Sequence, residues 1–302
     1  MRFNPKARLD TGRVRDVRGG GGGGRGGTIP VPAGLLGRGG VVGTLLVVGI
    51  VLYNTFVAGG GAGGYDTSRM AQTSRYASCE TGADANASSD CARVAVENSL
   101  YDYWSGELGD RFRPERAVET FTGSTDTGCG PASADVGPFY CPTDQTIYLD
   151  TTFFDEVLEK ELGGPDGGFV EAYVLAHEYG HHIQNLLGTM GRVRTQQGAN
   201  SDSVRLELQA DCYAGMWAKA ATSTDDGSGQ PLISELTSDD IRLALEAAAS
   251  VGDDRIQSKT SGQVDEETWT HGSAQARERW FTTGYRKGSL QACDTFAVDR
   301  VE

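Results

Sequence analysis

The stretch AHEYGHHIQNLLG, residues 176–188, carries three of the chain's four histidines within six positions, with a glutamate directly after the first. On an α-helix, residues four apart lie on one face a turn apart, so His177 and His181 can present both imidazoles to one ion. Glu178 points about 100° away around the axis, where it can reach a water at that ion rather than the ion itself. This is the H-E-x-x-H arrangement. His182 falls on a different azimuth and reads as a supporting, core or surface residue. The competing reading is a helix whose histidines are merely packed. It requires two of only four histidines in 302 residues to fall by chance at this spacing around a glutamate, in an apolar helical context. Gly180 costs roughly 1 kcal/mol of helix propensity relative to Ala, a cost explained if another element approaches the helix backbone there.

Two histidines leave a metal site incomplete. His271 and several carboxylates are candidates for a third ligand, and Glu207 in RLELQADCYAG is the strongest. Asp211, four residues on, shares its helix face and can accept a hydrogen bond from a ligating imidazole. The neighbours Leu206, Leu208, Ala210, Cys212 and Tyr213 make that helix largely apolar, which favours burial of both carboxylates. Buried carboxylates need partners, and a metal and its histidine supply them. Imidazole and carboxylate donors with an open position suit one Zn2+.

Around this centre the charge is unevenly spread. Residues 1–38 carry eight basic and two acidic groups, a net of +6, leaving −20 for the rest of a chain whose total is −14. So acidic a globular part excludes nucleic acid as a partner, because phosphate contacts need Lys or Arg. Residues 39–58, GGVVGTLLVVGIVLYNTFVA, contain no charge. Twenty residues of helix span about 30 Å, the hydrocarbon thickness of a bilayer. A cleaved signal peptide is the rival reading; the long basic leader and the length of the apolar run favour an uncleaved anchor. The positive-inside rule then puts the N-terminus in the cytoplasm and the bulk of the chain outside.

All six cysteines (Cys79, Cys91, Cys129, Cys141, Cys212 and Cys293) follow the apolar stretch, in keeping with disulfides on an oxidising side. Six cysteines permit 15 pairings. Locality favours Cys79 with Cys91 and Cys129 with Cys141, leaving Cys212 with Cys293, a bridge that would tie the C-terminal tail to the helix of Glu207 and Asp211. Free buried thiols are the alternative.

The organisation expected is a disordered basic tail over 1–38, a transmembrane helix over 39–58, a flexible linker over 59–90 and a folded domain over 91–302. Apolar periodicity predicts helices in CARVAVENSLYDYWSGELG (91–109, limited by Gly106), in GGFVEAYVLAHEYGHHIQNLLG (opened after Gly168 and closed at Gly188) and in DSVRLELQADCYAGMWAKAA (202–221). Further helices are predicted in TSDDIRLALEAAASVG, capped by Thr237 or Ser238, and in SAQARERWFTTGYRKG. AVETFTG and QTIYLDTTFF read as short strands. QTIYLD is either an ordinary sheet strand or an edge that pairs with an extended substrate.

Together these motifs resemble a family of bacterial, membrane-anchored neutral zinc metallopeptidases whose third ligand is a downstream glutamate. The resemblance rests on RVRDVRG, the apolar anchor, CGPASADVGPFYCPTDQTIYLD, LAHEYGHHIQNLLG, ELQADCYAGMWA and THGSAQARERWFTTGY. The Gly-rich insertion in the tail is longer than that pattern expects. The resemblance implies an α+β, zincin-like domain, mainly helical with a small sheet, with His177, His181 and Glu207 as zinc ligands, Glu178 as catalytic base and Asp211 behind a ligand. His271, in THGS, is the first candidate for a donor to the developing oxyanion and Tyr213 a weaker one; a structural histidine in a helix-start turn is the alternative. The function expected is a membrane-tethered zinc endopeptidase facing outside the cytoplasm, acting on a peptide or protein. Its alternatives are a hydrolase of non-peptide amides, or a non-catalytic binding or regulatory module of the same fold.

Overall fold

The computed structural model describes residues 1–18, 74–133 and 136–302. These form an α+β body. Its main sheet contains β2 (Val14–Asp16), β3 (Ala117–Phe121), β7 (Thr146–Asp150) and β6 (Phe139–Cys141), in the order β2-β3-β7-β6. The first three strands run parallel and β6 runs antiparallel to β7. Alternation divides the sheet's two faces. Val118 and Ile147 turn toward the helical core, while Phe121, Phe139 and Tyr148 turn the other way, toward Ala132. Ala132 belongs to a hairpin of β4 (Ser124–Thr127) and β5 (Gly130–Ser133). β1 (Arg2–Phe3) pairs separately with β8 (Ile233–Glu235).

The helices are α1 (Gly82–Ala87), α2 (Ser89–Leu108), α3 (Gly168–Leu186), α4 (Asp202–Ala220), α5 (Ser238–Ser250), α6 (Asp253–Thr260) and α7 (Ala274–Lys287). Their ends follow local chemistry. Ser201 accepts from the Val204 amide and opens α4; Thr237 and Asp240 exchange bonds in a capping box that opens α5; Ser273 accepts from Ala276 and opens α7. α2 runs through Gly106 and stops at Gly109, where φ is +53°. The five helices and two strands expected from periodicity are all present.

The packing of α3, α4 and α7 positions the site. A Cβ on Gly180 would stand 3.1 Å from Ala210 Cα, so α3 and α4 cross with backbones in near contact, as the cost of a mid-helix glycine implied. α7 crosses the far side of α4 more tightly. A Cβ on Gly284 would lie 1.8 Å from the Cys212 carbonyl oxygen, and one on Gly215 would lie 2.1 Å from that of Phe281. α4 is thereby clasped between the other two helices. The three disulfides are Cys79–Cys91, Cys129–Cys141 and Cys212–Cys293, the pairing that locality favours.

Three expectations need correction. Residues 1–18 are not a disordered tail: they supply β1 and the outer strand β2 of the main sheet. The Gly-rich composition of residues 19–33 colours any reading of the whole segment and hides two short strands, each with one buried apolar residue, Phe3 and Val14. Residues 74–90 are likewise not linker, since they form a 3-10 turn (Arg75–Ser78), α1 and the start of α2, pinned by Cys79–Cys91. β7 is an interior strand between β3 and β6, so it is no free edge. Residues 39–58, and with them the expected membrane span, lie outside the described residues. Among the described residues no helix is long and apolar enough to cross a membrane.

Candidate metal centre

The α3–α4 crossing brings the motif residues against the downstream helix. His177 Nε2 lies 3.2 Å from one Glu207 oxygen and His181 Nε2 3.5 Å from the other. One donor atom from each of the three residues falls within 4.8 Å of the other two, and all three side chains are buried. The opposite edge of each ring is occupied. His177 Nδ1 donates to Asp211 Oδ1 at 2.8 Å, and His181 Nδ1 donates to Gln184 Oε1 at 2.8 Å. Each imidazole therefore keeps its Nε2 lone pair toward the shared point, with a tautomer set from behind.

Those backing groups are themselves held. Asp211 accepts from the Tyr173 hydroxyl at 2.6 Å and from Arg277 through Nε at 2.9 Å and Nη2 at 3.0 Å. Gln184 donates to the Leu206 carbonyl at 2.7 Å and to Gln209 at 3.2 Å, and Gln209 donates to the Cys293 carbonyl at 3.0 Å. The Cys212–Cys293 bridge thus ties the C-terminal tail beside Asp211 and beneath the hydrogen-bond chain to His181.

The site's electrostatics are those of buried imidazoles set against buried carboxylates. Burial opposes a proton on His177, but Asp211 and Glu207 outweigh it and push its pKa up to about 10. Burial likewise disfavours ionised Glu207, yet His181, His271 and His177 hold its carboxyl well below the usual range. Two imidazole nitrogens and a carboxylate oxygen converging on one point fit zinc, whose catalytic sites use three protein ligands and keep a position open.

A cleft of about 120 Å³ opens beside the trio. His177, Glu178, His181, Glu207, His271 and Arg277 all line it, and Phe139, Phe153, Leu158, Val174 and Val251 make its apolar wall. Burial raises the Glu178 carboxyl, while His181 and His177 pull it down. His271 is set by Asp253, whose Oδ2 accepts from the amides of Thr270, His271 and Gly272 at 2.8, 2.7 and 2.9 Å. Its Nδ1 is engaged by the Thr270 hydroxyl at 2.7 Å, which leaves Nε2 as the edge free to act. Burial opposes a charged ring on His271, and Glu207 and Asp253 counter it.

The structure brings His177, Glu178, His181, Glu207, Asp211 and His271 together. Tyr213 it places elsewhere, edge-on to Trp104 at 5.4 Å and outside the cleft lining. His182 is a core residue that donates to the Arg113 carbonyl at 2.8 Å and pairs with the Tyr140 hydroxyl at 3.1 Å. Sequence reasoning missed Gln184, Tyr173, Arg277 and Asp253. Gln184 had a signal, since it stands three residues after His181 on the same helix face. Tyr173 had one too, one turn before His177.

The family model described as "Putative neutral zinc metallopeptidase" matches residues 1–296. The uncharacterized protein Rv2575 of Mycobacterium tuberculosis is 53% identical over 222 residues, 73% of this chain and 75% of that protein. The uncharacterized protein YpfJ of Escherichia coli K12 is 40% identical over 204 residues, 65% of this chain and 67% of that protein. No solved structure matches.

Proposed function

The chain belongs to the neutral zinc metallopeptidase family, and on that premise we propose that it is a zinc-dependent endopeptidase. The observation that carries this reading is the convergence of His177, His181 and Glu207 on one point, with Glu178 opening into the same cleft. Zinc held by those three residues supplies a Lewis acid for the peptide carbonyl and acidifies water. Glu178 accepts the proton of the attacking water and returns it to the departing amine, the two halves of general base and acid catalysis. His271, fixed by Asp253 and Thr270, directs Nε2 toward the carbonyl oxygen as it gains charge. Asp211 and Gln184 keep the two imidazoles aimed, and Arg277 balances Asp211.

An extended substrate has a strand to pair with. β6 is the edge of the main sheet next to the cleft, and its residues Phe139 and Tyr140 line that cleft. Backbone pairing along β6 would lay a peptide past Glu178 with one side chain against the apolar wall. On this reading the folded body lies in an oxidising compartment, a reading that its three disulfides support, and the apolar stretch 39–58 would hold it at the lipid bilayer.

The test uses the full chain and its Glu178→Gln variant, measuring zinc content and cleavage of casein. Both bind one zinc on this reading, and the variant loses about 10²–10⁴-fold in rate. Cleavage at the parental rate by Glu178→Gln, or absence of zinc from the parent, overturns it.

A further inference from the structure

Residues 1–18 reach the rest of the described body covalently only through residues 19–73, yet they make contacts along their whole length. Asn86 of α1 clamps Phe3 from both sides, accepting from its amide at 3.0 Å and donating to its carbonyl at 2.9 Å. Asn98 of α2 does the same to Asp10, at 2.7 and 2.8 Å. Each carboxamide thus stands in for a rung of a β-ladder. Between them the Leu9 amide donates to the Glu80 carbonyl and the Gly82 amide to the Ala7 carbonyl, both at 2.9 Å. A Cβ on Gly82 would lie 2.0 Å from the Asn4 carbonyl oxygen, so the domain is relieved of a side chain where the segment's backbone passes. β2 then completes the sheet, pairing Val14, Arg15 and Asp16 with Val118, Glu119 and Thr120.

The same segment carries a needed charge. Glu97 and Glu115 are both buried, and the Glu115 oxygens make no hydrogen bond among the described residues. Arg13 reaches this pair, donating to Glu97 from Nε at 2.6 Å and lying 4.0 Å over the Tyr101 ring. A buried carboxylate stripped of its cation is costly. The docked segment therefore supplies the counter-charge of a buried carboxylate on α2. The family match itself begins at residue 1.

We infer that residues 1–18 are a separable strand complement of the metal-binding domain. The groove between α1, α2 and β3 is a peptide-binding site whose ligand is the chain's own N-terminal segment, recognised by backbone pairing, the two asparagine clamps and a basic residue at position 13. The segment keeps its place when the connection through residues 19–73 is cut, and a free peptide of the same sequence competes for the groove. This inference does not depend on the reaction catalysed.

The experiment uses the full chain in detergent with a sequence-specific protease site inserted between residues 19 and 73. After cutting, gel filtration and mass spectrometry follow the N-terminal fragment, and zinc content follows the domain. Retention of the fragment with zinc unchanged is expected. In the cut protein, a labelled peptide of residues 1–18 exchanges into the groove, and its Arg13→Gln version binds about tenfold more weakly or worse, the range for a lost hydrogen bond to a charged group. Glu97→Gln in the domain narrows that difference. A fragment that leaves while the domain stays folded and zinc-loaded, or an Arg13→Gln peptide that binds like the parent, overturns the inference.

Discussion

Asp211 carries the densest set of hydrogen bonds in the site, accepting from His177, Tyr173 and twice from Arg277. Its carboxylate both aims a ligand and holds an arginine, so removing its charge should loosen the metal without removing a donor. Asp211→Asn is expected to lower zinc affinity about 10–100-fold, the usual loss for a partner behind a ligand, and competition against a chelator measures it. Asp211 was legible because it shares a helix face with Glu207. Arg277 was not, because the 66 residues separating it from Asp211 encode no spacing. A second residue makes stability depend on pH. Glu119 on β3 is buried, one of its carboxylate oxygens has no hydrogen-bond partner among the described residues, and desolvation with Asp144 pushes it up to about 7 despite Arg15 and Arg116. An acid raised in the folded state leaves full stability below its unfolded pKa and costs stability as pH climbs through the folded one. The loss falls between about pH 4.5 and 7 and amounts to about 3 kcal/mol. Glu119→Gln should therefore raise the urea midpoint at pH 8 and leave it unchanged at pH 4.

At the scale of elements, the site exists because α4 is gripped on both sides. Gly284→Ala would drive a Cβ into the Cys212 carbonyl, and helix backbone cannot yield as a side chain can. The expected cost is about 1–3 kcal/mol or more, read as a lower denaturant midpoint together with weaker zinc binding. Gly180→Ala, with its nearest contact at 3.1 Å, should cost less. The Cys129–Cys141 bridge joins the hairpin side of the cleft to the edge strand β6, so Cys129→Ser with Cys141→Ser should cost about 2–4 kcal/mol and raise KM more than it lowers zinc content. The helices were legible because their apolar stripes run for three turns or more between recognisable caps. β6 and the β4–β5 hairpin were not, being three or four residues long in, or just before, the Gly- and Pro-rich stretch bracketed by those cysteines. QTIYLD was legible as a strand, but not its interior place, because the antiparallel neighbour that covers it is one of these silent segments.

For the whole molecule, the N-terminal segment changes what composition implied. Its charge of +6 over residues 1–38 read as a tail held apart from an acidic domain. In the structure Arg13 and Arg18 are instead spent on Glu97 and on Asp16 and Asp90. The strand at residues 14–16 was illegible because three residues with a charge at two of them carry no periodicity. Docking also makes a prediction about topology. Cysteines introduced at the exposed positions Lys6 and Lys287 should react together or not at all with a membrane-impermeant maleimide on intact cells. Labelling of Lys287→Cys alone would show the segment on the opposite side from the domain and undocked.

The central claim is that one zinc sits between α3 and α4. Zinc K-edge X-ray absorption on the zinc-loaded full chain tests it directly. Two imidazoles and oxygen donors at about 2.0–2.1 Å are predicted, with one imidazole lost in His181→Ala. A first shell without imidazole, or one unchanged by that substitution, would contradict the account.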